Sequence, residues 1–200
     1  MTVSTVGVDD AATPDKYLHT EQRTISGTAR EDQYVQLGES AYPTYNAIGA
    51  NVSLATVNDH LIQVMGDGTN YTRIKRISFI VRDHPAAANA AILGLYRLST
   101  AGTGGSAVTP NGYDSADTYG GGAMTLPSSK GTEGALLHSF VIPLPTAPDD
   151  ARYVYWEVLP DTKPMIVGTS TANGLAIKSL WAVASCSLEI NVEFITTSYL

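Results

Sequence analysis

The sequence predicts an all-β protein, an antiparallel β-sandwich of the jelly-roll type with about eight strands and an extended N-terminal arm. Residues 185–195 alternate between apolar and polar side chains, which indicates a strand with one buried face. Turn-forming residues recur along the body, and no segment of about ten residues has the apolar spacing of a helix. Many short strands without helices are typical of a sandwich.

The last predicted strand, residues 185–195, is the clearest element. Its two faces carry Leu188, Ile190, Val192 and Phe194 on one side, and Ser187, Glu189, Asn191 and Glu193 on the other. A period of two places the apolar set against a core and the polar set toward water or a polar partner. One wet face is common in antiparallel sheets, whereas parallel sheets are usually buried on both faces.

The other strands are bounded by turn residues. Ile77, Phe79 and Val81 alternate, but Ile74 is out of phase with them by one residue, so we predict a β-bulge near Lys75 and Arg76. The glycine-rich residues 100–134 form a long insert, and loops of this length are usually functional or interfacial. The predicted strands are residues 59–65, 71–83, 92–99, 135–144, 152–159, 164–167, 174–183 and 185–195.

Residues 1–45 differ in composition from the body, residues 46–200. Aliphatic residues are sparse, and seven acidic against three basic residues give this segment a formal charge of −4. Alone it cannot bury enough apolar surface to offset its conformational entropy. It is either a disordered tail or, as we favour, an arm that becomes ordered on another subunit. The predicted anchors of the arm are Tyr17, Leu18, Ile25, Tyr34, Leu37, Tyr42 and Tyr45.

Composition narrows the partners and the cellular location. A net charge of −7 argues against a general nucleic-acid partner. The single cysteine, Cys186, excludes an internal disulfide framework. The N terminus lacks the pattern of a signal peptide, and no apolar run approaches the ~20 residues of a membrane span. We therefore predict a protein made in a reducing cytoplasm, with no membrane partner.

The sequence contains no clustered catalytic or metal-binding pattern, so we predict neither an enzyme nor a cofactor. The histidines are far apart and lack metal-ligand spacing, which favours structural roles for His19, His60, His84 and His138. Cys186 lies next to an apolar strand without an evident base, and we interpret it as a small, partly buried residue.

One basic cluster occurs in the body, on residues 71–83. It contains Arg73, Lys75, Arg76 and Arg82. The first explanation is cross-strand pairing with acids such as Glu189 or Glu193. The second is a docking patch, formed by Arg73, Lys75 and Arg76, for an acidic surface of a neighbouring subunit.

Five segments of the body resemble virion proteins of tailed bacteriophages: DHLIQVMGDGTNYTRIKRISF, LYRLSTAGTGGSAVTP, AMTLPSSKGTEGALLHSF, KPMIVGTSTANGLAIKSLWAV and LEINVEF. The resemblance covers roughly residues 51–194 and is to small jelly-roll proteins that cement or decorate the capsid. It implies a structural protein on the capsid surface of the virion, with the major capsid protein and its own copies, as a trimer, as partners. Many modest contacts, repeated by symmetry, would then stabilise the shell.

An alternative function is a tail- or fibre-associated module that binds a receptor or a host glycan. The aromatic residues that could stack on a sugar are Tyr113, Tyr119, Trp156 and Trp181. Both tryptophans lie in apolar strands, which favours a place in the core or in an interface. Copy number separates the two functions, because a shell protein occurs in hundreds of copies per particle and a tail module in few.

Overall fold

The computed structural model describes residues 3–7, 17–25, 28–33, 42–87, 89–146, 153–159 and 162–198. The chain divides into two compact units, Met1–Ala41 and Tyr42–Leu200. Within the described residues the regular elements are β-strands, and no helix is long and apolar enough to cross a membrane. The all-β class predicted from the sequence is confirmed.

The first unit forms a three-stranded antiparallel sheet in the order β1-β2-β3. Its strands are β1 (Val3–Gly7), β2 (Tyr17–Ile25) and β3 (Thr28–Gln33). The sequence predicts no strand here, because the segment lacks a sustained apolar alternation. Of the predicted arm anchors, Tyr17, Leu18 and Ile25 are residues of β2, whereas Tyr34 and Leu37 lie outside the described residues. The grip of an arm on a neighbouring subunit stays a prediction.

The second unit contains two antiparallel sheets. Its strands are β4 (Thr44–Ser53), β5 (His60–Met65), β6 (Tyr71–Asp83), β7 (Asn89–Leu98), β8 (Ser106–Val108), β9 (Asn111–Gly112), β10 (Ala123–Thr125), β11 (Glu133–Leu144), β12 (Tyr153–Glu157), β13 (Met165–Val167), β14 (Gly174–Ser179) and β15 (Ser187–Thr197). Sheet I has the order β12-β6-β15-β4-β9, with β13 also paired to β6. Sheet II has the order β11-β7-β14-β5-β10-β8.

Eight of these strands have the connectivity of a jelly roll. Sheet I contributes β4-β15-β6-β12 and sheet II contributes β5-β14-β7-β11. Along the chain, these eight strands therefore alternate between sheet I and sheet II. The exception is the step from β7 to β11, which are both in sheet II and pair with each other. The predicted jelly roll is confirmed. The predicted set misses β4 and counts β13, which lies outside the eight.

The core lies between the two sheets, and β15 is central to it. This strand pairs with β6 on one side and β4 on the other. The predicted apolar face of β15 is buried: Leu188, Ile190, Val192 and Phe194 all belong to the core. Across the sandwich, Phe79 of sheet I contacts Phe140 of sheet II, with ring centroids 4.9 Å apart. The alternation in the sequence thus identifies the correct face.

The predicted β-bulge in β6 is also confirmed. Glu193 of β15 faces Arg76, whereas the next residue, Phe194, faces Ile74, so Lys75 is the extra residue. The bulge returns Ile74 to the core, where it is fully buried. The carbonyl of Lys75 accepts a hydrogen bond of 2.9 Å from the backbone N–H of Val158.

The sandwich begins before residue 46, which corrects the predicted role of Tyr45. Tyr45 belongs to β4, faces Phe194 in the register and is only 3% exposed. It is a core residue and is therefore not available as an arm anchor. Tyr42, another predicted anchor, also belongs to the second unit. The alternation of β4 is hidden in the sequence by the small buried residues Ala47 and Gly49 and by an irregularity in its pairing with β15.

Candidate functional site

A buried chain of hydrogen bonds attaches the long insert to sheet II. Both His60 and Gln63, on β5, are fully buried. The carboxamide oxygen of Gln63 accepts from the backbone N–H of Gly102, 2.9 Å away, so its Nε2 must be the donor to Nδ1 of His60, 2.8 Å away. Nε2 of His60 then donates to Oε1 of Glu133 over 2.9 Å. Each side-chain nitrogen and oxygen atom named in this series of hydrogen bonds therefore has a partner.

The same carboxylate joins a second strand to this network. Nζ of Lys178, on β14, donates to Oε2 of Glu133 over 2.8 Å and also lies 5.1 Å from the ring centre of Tyr96. A bulge in β5 brings the groups together: Ile177 faces Ile62 and Lys178 faces His60, so Leu61 is the extra residue. His60 and Gln63 can therefore share one face although they are three positions apart.

The environment sets opposite charge preferences for the two central groups. Burial lowers the pKa of His60 below 6.5, although the hydrogen bond and the charge of Glu133 act in the other direction. For Glu133, burial acts to raise the pKa, but the hydrogen bonds from Lys178 and His60 outweigh it and lower the pKa below 4.5. The network therefore contains a carboxylate and a neutral imidazole at pH 7.

A carboxylate and a histidine at 2.9 Å are two of the three parts of a catalytic triad. Here, however, the ring nitrogen that would take a proton from a nucleophile already accepts from Gln63. The imidazole is also 0% exposed, so a substrate has no access to it. The arrangement stabilises a loop and supports the structural role predicted for His60. The contact of His60 with Glu133 has no signal in the sequence, because the two residues are 73 positions apart.

The outer face of sheet I carries the ion pairs predicted for the basic cluster. Arg76 donates to Glu193 over 2.9 Å, and Arg82 pairs with Glu189. Partly exposed pairs of this kind contribute ~1 kcal/mol or less each. Arg73 and Lys75 line a depression of about 310 Å³. Docking of an acidic neighbour on Arg73, Lys75 and Arg76 stays a prediction, in which Arg76 would have to exchange its partner.

A second depression, of about 260 Å³, lies on the same outer face, and we call it the tyrosine depression. Its lining residues are Asn46, Arg76, Ser78, Ile80, Tyr153, Asn191 and Glu193. Tyr153 is 53% exposed and its neighbour on the strand face, Tyr155, 54%. Their rings stack with centroids 5.6 Å apart and planes inclined by 27°. Oδ1 of Asn46 is buried there and has no hydrogen-bond partner in the part of the chain that the structure describes.

The outer face of sheet II is different, because large apolar side chains are exposed on it. Val141 on β11 faces Ile92 on β7. Beside this pair, Leu136, Leu180 and Tyr96 converge over Gly94, where the missing side chain makes room for them. Trp181 follows Leu180 and is exposed. We call Ile92, Leu136, Val141, Leu180 and Trp181 the apolar patch.

Two of the four aromatic residues considered for sugar stacking belong to the core or pack against it. Tyr119 is 9% exposed, and its ring contacts Phe194 with centroids 4.8 Å apart. Burial raises the pKa of Tyr119 to about 12. Tyr119 is a core residue, so it is not available to stack on a sugar in the alternative function. Trp156 packs against the core, whereas Tyr113 is exposed and donates its hydroxyl to Glu193 over 2.9 Å.

Comparison with known proteins assigns no family to the chain. No family model matches it, and no curated protein or solved structure matches it. The candidate binding surfaces lie on the sandwich. These are the two depressions on sheet I and the apolar patch on sheet II.

Proposed function

We propose that this protein is a structural component of a tailed-bacteriophage particle, a capsid cement or decoration protein that binds the major capsid protein and its own copies. The resemblance of segments within residues 51–194 to such proteins motivates the proposal. The observation that carries it is the apolar patch on the outer face of sheet II. Such a surface supports binding to another protein.

Single exposed apolar residues are ordinary on protein surfaces, but contiguous ones mark interaction sites. The patch has this contiguous character: Val141, 61% exposed, is paired with Ile92 across two strands, and Leu136 and Leu180 meet beside them. Burial of such side chains on a partner stabilises a complex by ~25 cal/mol per Å² of apolar surface, before the losses of association entropy.

The strand next to the patch adds polar binding capacity. Among the described strands, β11 ends sheet II and pairs only with β7. The outer edge of such a strand presents backbone N–H and C=O groups to a partner. An apolar patch beside an open strand edge resembles the centre and the rim of a protein interface. A shell subunit, or a second copy in a trimer, is the partner that the proposed function supplies.

The patch variant Ile92→Asp should reduce association with the particle at least tenfold, because a buried unpaired carboxylate opposes the interface. Ile48→Asp is the matched control: Ile48 is 41% exposed and Ile92 37%, but Ile48 lies on the outer face of sheet I. Both variants are tested by co-sedimentation with particles that lack the protein. Equal binding of the two variants would contradict the assignment of the patch.

Copy number tests the proposed function itself. A gel of purified particles should show a band for this protein comparable in intensity to that of the major shell protein. A few copies per particle would favour the tail- or fibre-associated alternative instead.

A further inference from the structure

We propose that the tyrosine depression is a binding site for neutral carbohydrate, with one pyranose ring placed against Tyr153. This site is distinct from the apolar patch, because it lies on the outer face of the other sheet. It also differs from the aromatic residues that the sequence suggests, since its lining contains none of Tyr113, Tyr119, Trp156 and Trp181. Binding to it is a property of the isolated protein and does not depend on the proposed capsid role.

The aromatic part of the site suits the apolar face of a sugar. Tyr153 and Tyr155 are two positions apart on β12, so both rings stand on the same side of the strand. Each of the two residues is more than half exposed, and their ring centroids lie 5.6 Å apart. Tyrosine offers a rigid apolar ring together with a hydroxyl group, which is the combination needed at a surface that is partly apolar and partly wet.

The polar part of the site has unused hydrogen-bonding capacity. Oδ1 of Asn46 is a buried acceptor that has no hydrogen-bond partner among the described residues, so a ligand hydroxyl group can satisfy it. The side-chain amide of Asn191 makes only a long bond of 3.4 Å to Glu189. Ser78 on β6, which faces Asn191 of β15 in the register, adds a hydroxyl that can donate or accept. Hydroxyl groups of a sugar fit this mixed set because each can also donate and accept.

The charges of the lining favour a neutral ligand. Arg76 and Glu193 are the charged residues of the depression, and they neutralise each other over 2.9 Å. An anionic ligand would face the carboxylate of Glu193, and a cationic ligand the guanidinium of Arg76. The volume, about 260 Å³, lies just below the ~300–1,000 Å³ of typical small-ligand sites, so it suits one ring of a longer glycan.

The experiment titrates the full-length protein with neutral trisaccharides of glucose, galactose or mannose, and with sialyllactose as a charged probe. Saturation-transfer NMR detects binding, and calorimetry measures the dissociation constant. Both can be applied to binding as weak as the ~1 mM dissociation constant expected of a shallow site. We expect saturable binding of at least one neutral trisaccharide. Tyr153→Ala should weaken this binding at least tenfold, whereas Tyr153→Phe should retain most of it.

Trp181→Ala is the matched control, because Trp181 is 57% exposed but lies beside sheet II. It should leave the affinity for sugar unchanged. Near-ultraviolet circular dichroism checks that each variant is folded. The proposal is overturned if no neutral trisaccharide binds at about 10 mM, ten times the expected dissociation constant. It is also overturned if only sialyllactose binds, or if binding survives Tyr153→Ala. Loss of binding in Trp181→Ala with retention in Tyr153→Ala would place the site elsewhere.

Discussion

Replacing Tyr45 by alanine should lower the free energy of unfolding by about 3–5 kcal/mol, the usual effect of truncating a buried aromatic residue. Tyr45 is 3% exposed, and its ring lies 5.6 Å from that of Phe194 and 5.3 Å from that of Tyr119. Its hydroxyl also donates to the carbonyl of Thr118 over 3.3 Å. The variant removes a residue that links β4 to the centre of the core.

The measurement is denaturant unfolding of the full-length protein, followed by tryptophan fluorescence. Tyr153→Ala provides the control, since the same side chain is removed from a position that is 53% exposed. We expect that control to change the free energy of unfolding by less than about 1 kcal/mol. Similar midpoints for the two variants would mean that Tyr45 is not part of the core.

This prediction decides how the N-terminal segment should be tested. Domains are stable by only ~5–15 kcal/mol, so a truncation that removes residues 1–45 would weaken the sandwich itself. Loss of shell binding in that truncation would not show that the arm itself binds the shell, because the sandwich would be weakened as well. A truncation that removes Met1–Ala41 follows the boundary between the two units and keeps β4 complete. That truncation is the informative test of the proposed arm.

The strands that could be predicted from the sequence are those with a clear period of two. The alternation of β15 gives its buried face, and the phase of Ile74 predicts a bulge near Lys75 and Arg76, which the structure places at Lys75. β4 has no such signal. Its inward positions include Ala47 and Gly49, and Asn51 has a φ of 51°, a left-handed conformation that changes the phase of the strand.

The candidate surfaces could be predicted only where they depend on neighbours within a sheet. The pairing of Arg76 with Glu193 was predictable, because it follows from alternation on adjacent antiparallel strands. The contacts of His60 with Gln63 and Glu133 depend on a bulge and on the path of the insert. Neither leaves a pattern in the sequence, because the three residues follow no single period.

The two outer faces of the sandwich suggest how the two proposals would coexist. The apolar patch belongs to sheet II and the tyrosine depression to sheet I, so they lie on opposite sides of one core. If sheet II rests on the shell, sheet I is directed away from it. A glycan site there would remain accessible on the assembled particle. The two proposals are therefore compatible, although each is tested by its own experiment.

Acidification should destabilise the sandwich from about pH 6.5 downward, through the buried histidine of β5. Burial lowers the pKa of His60 below the 6.5 of the unfolded chain. Above pH 6.5 both states carry a neutral imidazole, and His60 adds nothing to the pH dependence. Below it the unfolded state binds a proton that the native state excludes, so stability falls by up to about 1.4 kcal/mol per pH unit until the folded pKa is reached.

The groups around His60 explain why the native state resists this proton. Nδ1 already accepts from Gln63, and rotation of that amide would leave the N–H of Gly102 without its acceptor. The positive charges of Lys130 and Lys178 also lower the pKa of His60, against the carboxylate of Glu133. Glu133 itself has a pKa lowered from 4.5, so the stability that it contributes is present above pH 4.5 and is lost only below it. The interval from pH 5.5 to 6.5 therefore lies above the range in which Glu133 contributes to the pH dependence of stability.

His60→Gln tests this assignment, because glutamine can still donate to Glu133 but cannot titrate. At pH 7.5 we expect a loss of about 1–3 kcal/mol, since the amide of Gln63 loses its acceptor. Between pH 6.5 and 5.5 the free energy of unfolding of the variant should be nearly constant, whereas that of the native protein should fall. The measurement is urea unfolding at several pH values in one buffer series. Parallel curves for the two proteins would show that His60 titrates in the native state as it does in the unfolded chain.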